Sequence, residues 1–158
     1  MTIDELLAHE AIRQTMARYN MAGDRLKVDE YVAVFTEDGI MEAEHPDPAS
    51  AFRYEGREAI RAWMTRWRDR PASGGGSVHE ASFVRHHLST CQIDMTGPDT
   101  AQARTYWVAW TDIGPDHAGY YLDRFHKVDG QWLIAHRRVR EDWRSPGSLF
   151  NTAVTNSK

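Results

Sequence analysis

The second half of the chain is punctuated into four long stretches rich in β-branched and aromatic residues, and this run limits the fold more than any other feature. The stretches are His79 to Met95, Thr100 to Asp112, His117 to Val128 and Gln131 to Glu141. Turn-forming residues separate them: Thr96-Gly97-Pro98-Asp99, then Gly114-Pro115, then Asp129-Gly130. The Asp-Gly pair suits the two positive-φ positions of a tight hairpin. The run therefore reads as a meander of strands.

The first half reads mainly as helices. Thr2 and Glu5 have capping-box spacing, and Ile3, Leu6, Leu7, Ile12, Met16 and Tyr19 recur at helical intervals, so a first helix is predicted to about Ala22. Gly23 then suits a left-handed C-terminus. A short second helix is predicted from about Lys27 or Asp29, turning Tyr31, Val32 and Phe35 inward and ending near Thr36-Glu37-Asp38-Gly39. Ile40 to Glu44 reads as a strand stopped by the prolines of His45-Pro46-Asp47-Pro48, with Phe52 to Tyr54 as a short partner. Gly56 precedes a third helix from Arg57 to about Arg68, and Pro71 to Ser77 reads as a flexible loop. Helices first and strands last is the order of an α+β domain, not of alternating βαβ units. We expect one domain over residues 1–145 and a C-terminal tail over 146–158.

Composition removes several function classes. The formal charge is −4 and the basic residues are dispersed, so no footprint for nucleic acid or an anionic membrane stands out. The arginines between Arg57 and Arg70 are interrupted by Glu58, Asp69, Ile60, Trp63 and Trp67, the pattern of an amphipathic helix with a solvated face. One cysteine, Cys91, allows neither an intrachain disulfide nor a thiolate metal cluster. None of the eight histidines falls in a His-Glu-x-x-His arrangement, and there is no phosphate-binding glycine motif. No metal or cofactor is implied. Without a membrane-length apolar stretch or a basic and apolar leader, a soluble, cytoplasmic protein is expected.

The chemistry-bearing residues gather around Phe83-Val84-Arg85-His86-His87-Leu88. Alternation puts His86 with Val84 and Leu88, and His87 with Arg85 and Ser89, so one histidine faces in and the other out. His86 is then either a hydrogen-bonded core residue or a base. Cys91 falls on the face opposite His86. Asp24, just past the first helix, is either a turn residue or the partner that orients an imidazole. Tyr19 is either a core tyrosine or a donor to a developing oxyanion. Arg137 alternates with Leu133, Ala135 and Val139, away from Trp132, Ile134 and His136, and needs either an ion pair, with Asp123 for example, or an anion to stabilise. Asp123 shares its face with Tyr121 and Phe125. Trp107, Tyr121, Asp123, Leu88 and Phe35 are the candidates to line a substrate pocket.

Taken together, Ala11-Ile12-Arg13, Phe35-Thr36-Glu37-Asp38-Gly39, Gly56-Arg57-Glu58-Ala59-Ile60, Arg85-His86-His87-Leu88 and Asp129-Gly130-Gln131-Trp132 give the chain a resemblance to the nuclear transport factor 2-like superfamily, in its SnoaL-like branch. The resemblance implies a cone-shaped α+β fold, with a strongly curved mixed sheet around helices and a pocket at its open end. Asp24 and His86 are similar to the Asp-His dyad of the scytalone dehydratase, bile acid 7α-dehydratase and lindane dehydrochlorinase relatives. Tyr19 and Arg137 resemble pocket residues of the latter two. The position at which ketosteroid isomerase carries its aspartate base is occupied here by Ala43.

The implied activity is a cofactor-independent, dehydratase-like lyase acting on a small apolar cyclic substrate. His86 would remove a carbon-bound proton, Asp24 would stabilise the imidazolium, and Tyr19 or Arg137 would assist the departing hydroxide or halide. The alternatives are a double-bond isomerase or polyketide cyclase using the same pocket, and a non-catalytic small-ligand-binding protein. The outward-facing Tyr106, Val108 and Trp110, together with the habit of the superfamily, point to a homo-oligomer, a dimer or trimer.

Overall fold

The capping box forms. In the computed structural model, which describes residues 1–44, 51–69 and 81–150, Thr2 N–H donates to Glu5 Oε2 at 2.6 Å and Glu5 N–H to Thr2 Oγ1 at 3.1 Å. They start α1 (Ile3–Gly23). Ala8, Ile12, Thr15, Met16, Tyr19 and Ala22 form its buried stripe, and Thr15 Oγ1 donates to the Trp132 carbonyl at 2.7 Å. Ile3, Leu6 and Leu7 are exposed, contrary to the periodicity, because the helix packs on the rest of the chain only from Ala8 onward. The helix end also differs from the expectation. Gly23 stays helical, Asp24 is the C-cap with φ −60°, and the left-handed residue is Leu26 at φ 53°. Gly23 is needed for space, since a Cβ there would lie 3.3 Å from the Tyr31 ring.

The second helix, α2 (Val28–Ala33), is shorter than predicted, and β1 (Phe35–Glu44) begins earlier. The Thr36–Gly39 stretch read as a helix end is instead an interruption in the β1 ladder, which pairs at Phe35 and resumes at Ile40. Then come β2 (Phe52–Glu55), α3 (Arg57–Arg68), β3 (Arg85–Gly97), β4 (Thr100–Thr111), β5 (Gly114–Val128) and β6 (Gln131–Arg144). The prolines expected to end β1, the glycine-rich loop and the expected strand start at His79 lie outside the described residues, and Ala81–Val84 are not in a strand. At the β5–β6 hairpin Asp129 (φ 49°) and Gly130 (φ 78°) occupy the two positive-φ positions.

The six strands form one mixed, open sheet in the order β2-β1-β6-β5-β4-β3. Every pairing is antiparallel except β1 with β6, and the helices cover one face. The fold class is the expected α+β.

Three β-bulges decide which side chains reach the interior. In β3, Ser89 and Thr90 oppose only Tyr106, between the Leu88↔Trp107 and Cys91↔Thr105 pairs. The extra residue reverses the alternation, so Cys91 faces the core side with His86, and Thr105 Oγ1 lies 3.3 Å from its sulfur. The expected outward Cys91 is thus corrected. In β6 the ladder skips Ala135, between Phe125↔Ile134 and Arg124↔His136. Trp132 and Ile134 therefore join the same core as Arg137, where alternation had them opposed. In β5 the ladder skips Asp116, between Ala109↔His117 and Trp110↔Pro115, and both Asp116 and His117 become buried. Bulges of this kind re-aim side chains at the rims of sheets.

Candidate functional site

The C-cap of α1 meets the first turn of β3. Asp24 Oδ1 lies 2.6 Å from His86 Nδ1, and Asp24 Oδ2 accepts the His86 backbone N–H at 3.0 Å. Both carboxylate oxygens are therefore committed to one residue, which compensates a carboxylate at the unfavourable end of the helix dipole. An acceptor at Nδ1 keeps the proton there and leaves the Nε2 lone pair free. Exposure is graded: the Asp24 side chain is 7% accessible and that of His86 25%, so the imidazole is partly exposed and the carboxylate lies behind it. His87 is exposed on the outer face and meets Trp110 edge-on at 6.3 Å.

Of the residues chosen from sequence, Leu88 and Trp107 pair across β3 and β4, and the Trp107 ring lies 5.7 Å from His86. Tyr121 stacks on Trp107 at 5.7 Å. Deeper in, Arg137 is fully buried and donates through Nε and Nη2 to Asp123 at 2.8 and 2.6 Å. Its guanidinium is sandwiched 4.0 Å from the rings of both Tyr19 and Tyr121. Burial alone would lower the proton affinity of Arg137, but the charge and hydrogen bonds of Asp123 outweigh it and raise it. Arg137 is thus the structural ion pair of the two readings offered above. Tyr31 donates to the Tyr19 hydroxyl at 2.7 Å, and burial raises the pKa of both phenols. No hydrogen bond or ring contact joins Tyr19 to Asp24 or His86 among the described residues. Phe35 is completely buried behind Tyr19 and Tyr31.

A second carboxylate–imidazole pair was missed in the sequence. Asp116 Oδ1 lies 2.7 Å from His117 Nδ1, and the His117 ring is 5.8 Å from His86 and 5.5 Å from Trp107. The Asp116 carboxylate also accepts from Ser148 Oγ at 2.5 Å, Leu149 N–H at 2.9 Å and Thr111 Oγ1 at 3.2 Å. Burial tends to raise the Asp116 pKa, but the Ser148, His117 and Leu149 hydrogen bonds prevail and lower it. Burial pushes the His117 pKa below the usual imidazole value, only partly opposed by Asp116. Beyond β6 the chain folds back and sets Phe150 4.9 Å from His117. Adjacent residues both facing inward violate alternation, so period-two reading hid this pair; the only available signal was Gly114-Pro115 just upstream, a place where ladders break.

An open, charged concavity of about 370 Å³ lies on the other face of the sheet, lined by residues including Arg104, Arg124, His136 and Arg138. Its lining reaches Asp123 but neither imidazole nor their carboxylate partners, and several of its polar side chains are already paired, His136 and Arg138 with Glu42 and Arg124 with His136. We therefore place the candidate site at the two imidazoles. Among the described residues no group of three or more His, Cys, Asp or Glu could hold a metal ion, and no helix is long and apolar enough to cross a membrane.

Comparisons with known proteins agree with this architecture. No functionally curated protein matches the sequence significantly. Among solved structures, a Novosphingobium aromaticivorans protein provisionally named a scytalone dehydratase is 26% identical, with 92% of this chain and 91% of that one covered and a TM-score of 0.72. A Mycobacterium tuberculosis protein of unknown function is 27% identical over 87% of this chain and 73% of that one, with a TM-score of 0.69. Hexachlorocyclohexane dehydrochlorinase LinA-type3 of Novosphingobium barchaimii shares the fold at 13% identity, with 90% and 92% coverage and a TM-score of 0.69. Others of the same fold are described as NTF2-like or cystatin-like. The family model for the SnoaL-like domain matches residues 4–138, and the chain belongs to that family.

Proposed function

We propose that the protein is a lyase of the dehydratase type, acting on a small cyclic substrate by removal of a carbon-bound proton. The observation that carries this reading is the 2.6 Å Asp24–His86 contact, with the His86 ring partly exposed beside Trp107. In the reaction, the pair of electrons from a C–H bond forms a C=C bond, the proton goes to His86 Nε2, and the neighbouring hydroxyl leaves as water with the proton that His86 Nε2 returns. Asp24 stabilises the imidazolium that forms. Such general-base assistance contributes roughly 10²–10⁴ in rate. His117 lies against both Trp107 and His86 with its Nδ1 held by Asp116, where its other nitrogen can accept a hydrogen bond from the substrate hydroxyl. Arg137 supports the recess through Tyr19 and Tyr121 and is committed to Asp123, so it does not take the leaving group. The similarity to a protein named for scytalone dehydratase, and the shared fold of a dehydrochlorinase, support an elimination.

The test uses 3-hydroxy-1-tetralone, a cyclic β-hydroxy ketone whose dehydration gives 1-naphthol. The wild-type protein is expected to release 1-naphthol and His86→Ala to be nearly inactive. An isomerase built on the same groups would instead move the double bond of a cyclic enone without loss of water, because the two imidazoles offer one site for withdrawing and another for returning a proton.

A further inference from the structure

Hydrogen-bond stoichiometry in the interior is lopsided. Every carboxylate oxygen near the two imidazoles is taken: Asp24 by His86, Asp123 by Arg137, and Asp116 by His117, Ser148, Leu149 and Thr111. Donors remain over. Among the described residues Thr36 Oγ1 in β1 is buried without a partner, and toward the imidazoles three donors, Trp107 Nε1, Arg137 Nη1 and Asn20 Nδ2, are buried without an acceptor. An amide can exchange its oxygen and nitrogen positions, but an indole N–H and a guanidinium can only donate, so no alternative assignment of Asn20 removes the excess. A buried unsatisfied donor costs about 1–3 kcal/mol, and native proteins keep few of them.

The three donors surround Tyr121. Trp107 stacks on its ring, its hydroxyl lies 3.5 Å from Asn20 Oδ1, and Arg137 covers its other side. Only Trp107 also touches both imidazoles, at 5.7 Å from His86 and 5.5 Å from His117. It is nevertheless 95% inaccessible, so bulk water does not satisfy it.

We infer that Trp107 is a specificity-determining residue whose indole N–H holds an acceptor oxygen of the ligand between His86 and His117, so that the site selects cyclic ketones over hydrocarbons and halides of the same shape. The inference rests on the proposed function only for the location of the site. It also explains how a weakly acidic C–H bond yields to an imidazole. When His86 Nε2 takes the proton, the C–H electron pair forms a C=C bond to the carbonyl carbon and the carbonyl π pair moves onto oxygen. The indole hydrogen bond to that oxygen strengthens as its negative charge develops.

Binding of 1-tetralone and of its hydrocarbon counterpart tetralin to the ¹⁵N-labelled full chain tests this without any turnover, since neither carries a leaving group. The Trp107 indole signal is identified by its loss in Trp107→Phe, which keeps an aromatic ring and removes the donor. We expect 1-tetralone to bind about tenfold more tightly than tetralin, the difference of one net hydrogen bond, and to shift the Trp107 indole proton downfield. In Trp107→Phe the two ligands should bind equally. Should that variant not fold, the wild-type indole shift decides alone. Equal affinities in the wild type, failure of both ligands to bind, an unmoved indole proton, or a ketone preference that survives in folded Trp107→Phe would each overturn the inference. Selective binding of 1-tetralone without conversion of 3-hydroxy-1-tetralone would uphold it and count against the lyase reading.

Discussion

In the proposed reaction Asp24 and His86 act through one shared proton position, and their substitutions should therefore not add. Asp24→Asn removes the acceptor that fixes the tautomer, and His86→Ala removes the base. Each is expected to abolish most turnover of 3-hydroxy-1-tetralone, with the double variant hardly worse than His86→Ala alone. Measured rates whose losses multiply would mean the residues work separately. His87→Ala, on the exposed face, should retain activity. Arg137 and Asp123 call for a different measurement, because their bond is structural. Arg137→Met leaves the Asp123 carboxylate buried and unpaired, and is expected to destabilise the fold by about 3–5 kcal/mol in denaturant unfolding, whereas joint replacement of both by apolar residues should cost less. Individual residue types were legible: a histidine on the strand face of Val84 and Leu88 and a carboxylate after a helix suffice to nominate the pair. Which of the two roles Arg137 takes was not legible, since that depends on Asp123 lying directly across from it in the β5–β6 ladder.

At the level of elements, the capping box and the Asp129-Gly130 hairpin follow from spacing and turn chemistry and form as read, whereas only the Ile12, Met16 and Tyr19 part of the expected helix stripe is buried. The bulges do not follow, because one extra residue leaves no mark in composition while it inverts every facing beyond it. That is why Cys91, Trp132 and Ile134 were assigned to the wrong face and why Asp116 and His117 went unnoticed. A further irregularity of β6, where the ladder skips Asp142 between Ala118↔Trp143 and Gly119↔Glu141, is unforgiving: a Cβ on Gly119 would come within 1.9 Å of the Arg140 carbonyl oxygen. Gly119→Ala should lower stability by about 2–3 kcal/mol in chemical unfolding. The β5 bulge makes stability depend on pH. With His117 facing Asp116, His86, Arg144 and Glu141, its folded pKa lies below the ordinary value of 6.5. Between those two values the unfolded chain binds more protons, so stability is full above about 6.5 and is lost as pH falls toward the folded pKa. Asp116 works in the same sense at lower pH: its lowered pKa contributes stability above the ordinary value of 3.8 that is lost as pH falls through the folded value. Unfolding midpoints measured from pH 8 downward should show the first loss in the wild type and not in His117→Gln.

Across the whole molecule the sheet presents two unlike faces. One is covered by the helices and holds the site; the other exposes Tyr106, Trp110 and Trp143, with Val108 and Ala118 between them in register. We propose that a second copy of the chain covers this aromatic patch. Sedimentation at micromolar concentration should give an oligomer, and Trp110→Glu with Tyr106→Glu should release monomers; a monomeric wild type would remove the proposal. The α+β architecture was legible because its elements come in blocks, helices before strands, and because family resemblance extends over nearly the whole domain. Substrate identity is a property of side chains brought together from α1, β3, β4, β5 and the segment ending at Phe150, which no single stretch encodes. The central claim, that His86 takes a proton from carbon with Asp24 behind it, is tested most directly by deuterium uptake at C2 of 1-tetralone in D₂O. The account predicts that the wild-type protein and His87→Ala accelerate this uptake and that His86→Ala and Asp24→Asn do not. Undiminished uptake in His86→Ala would contradict it.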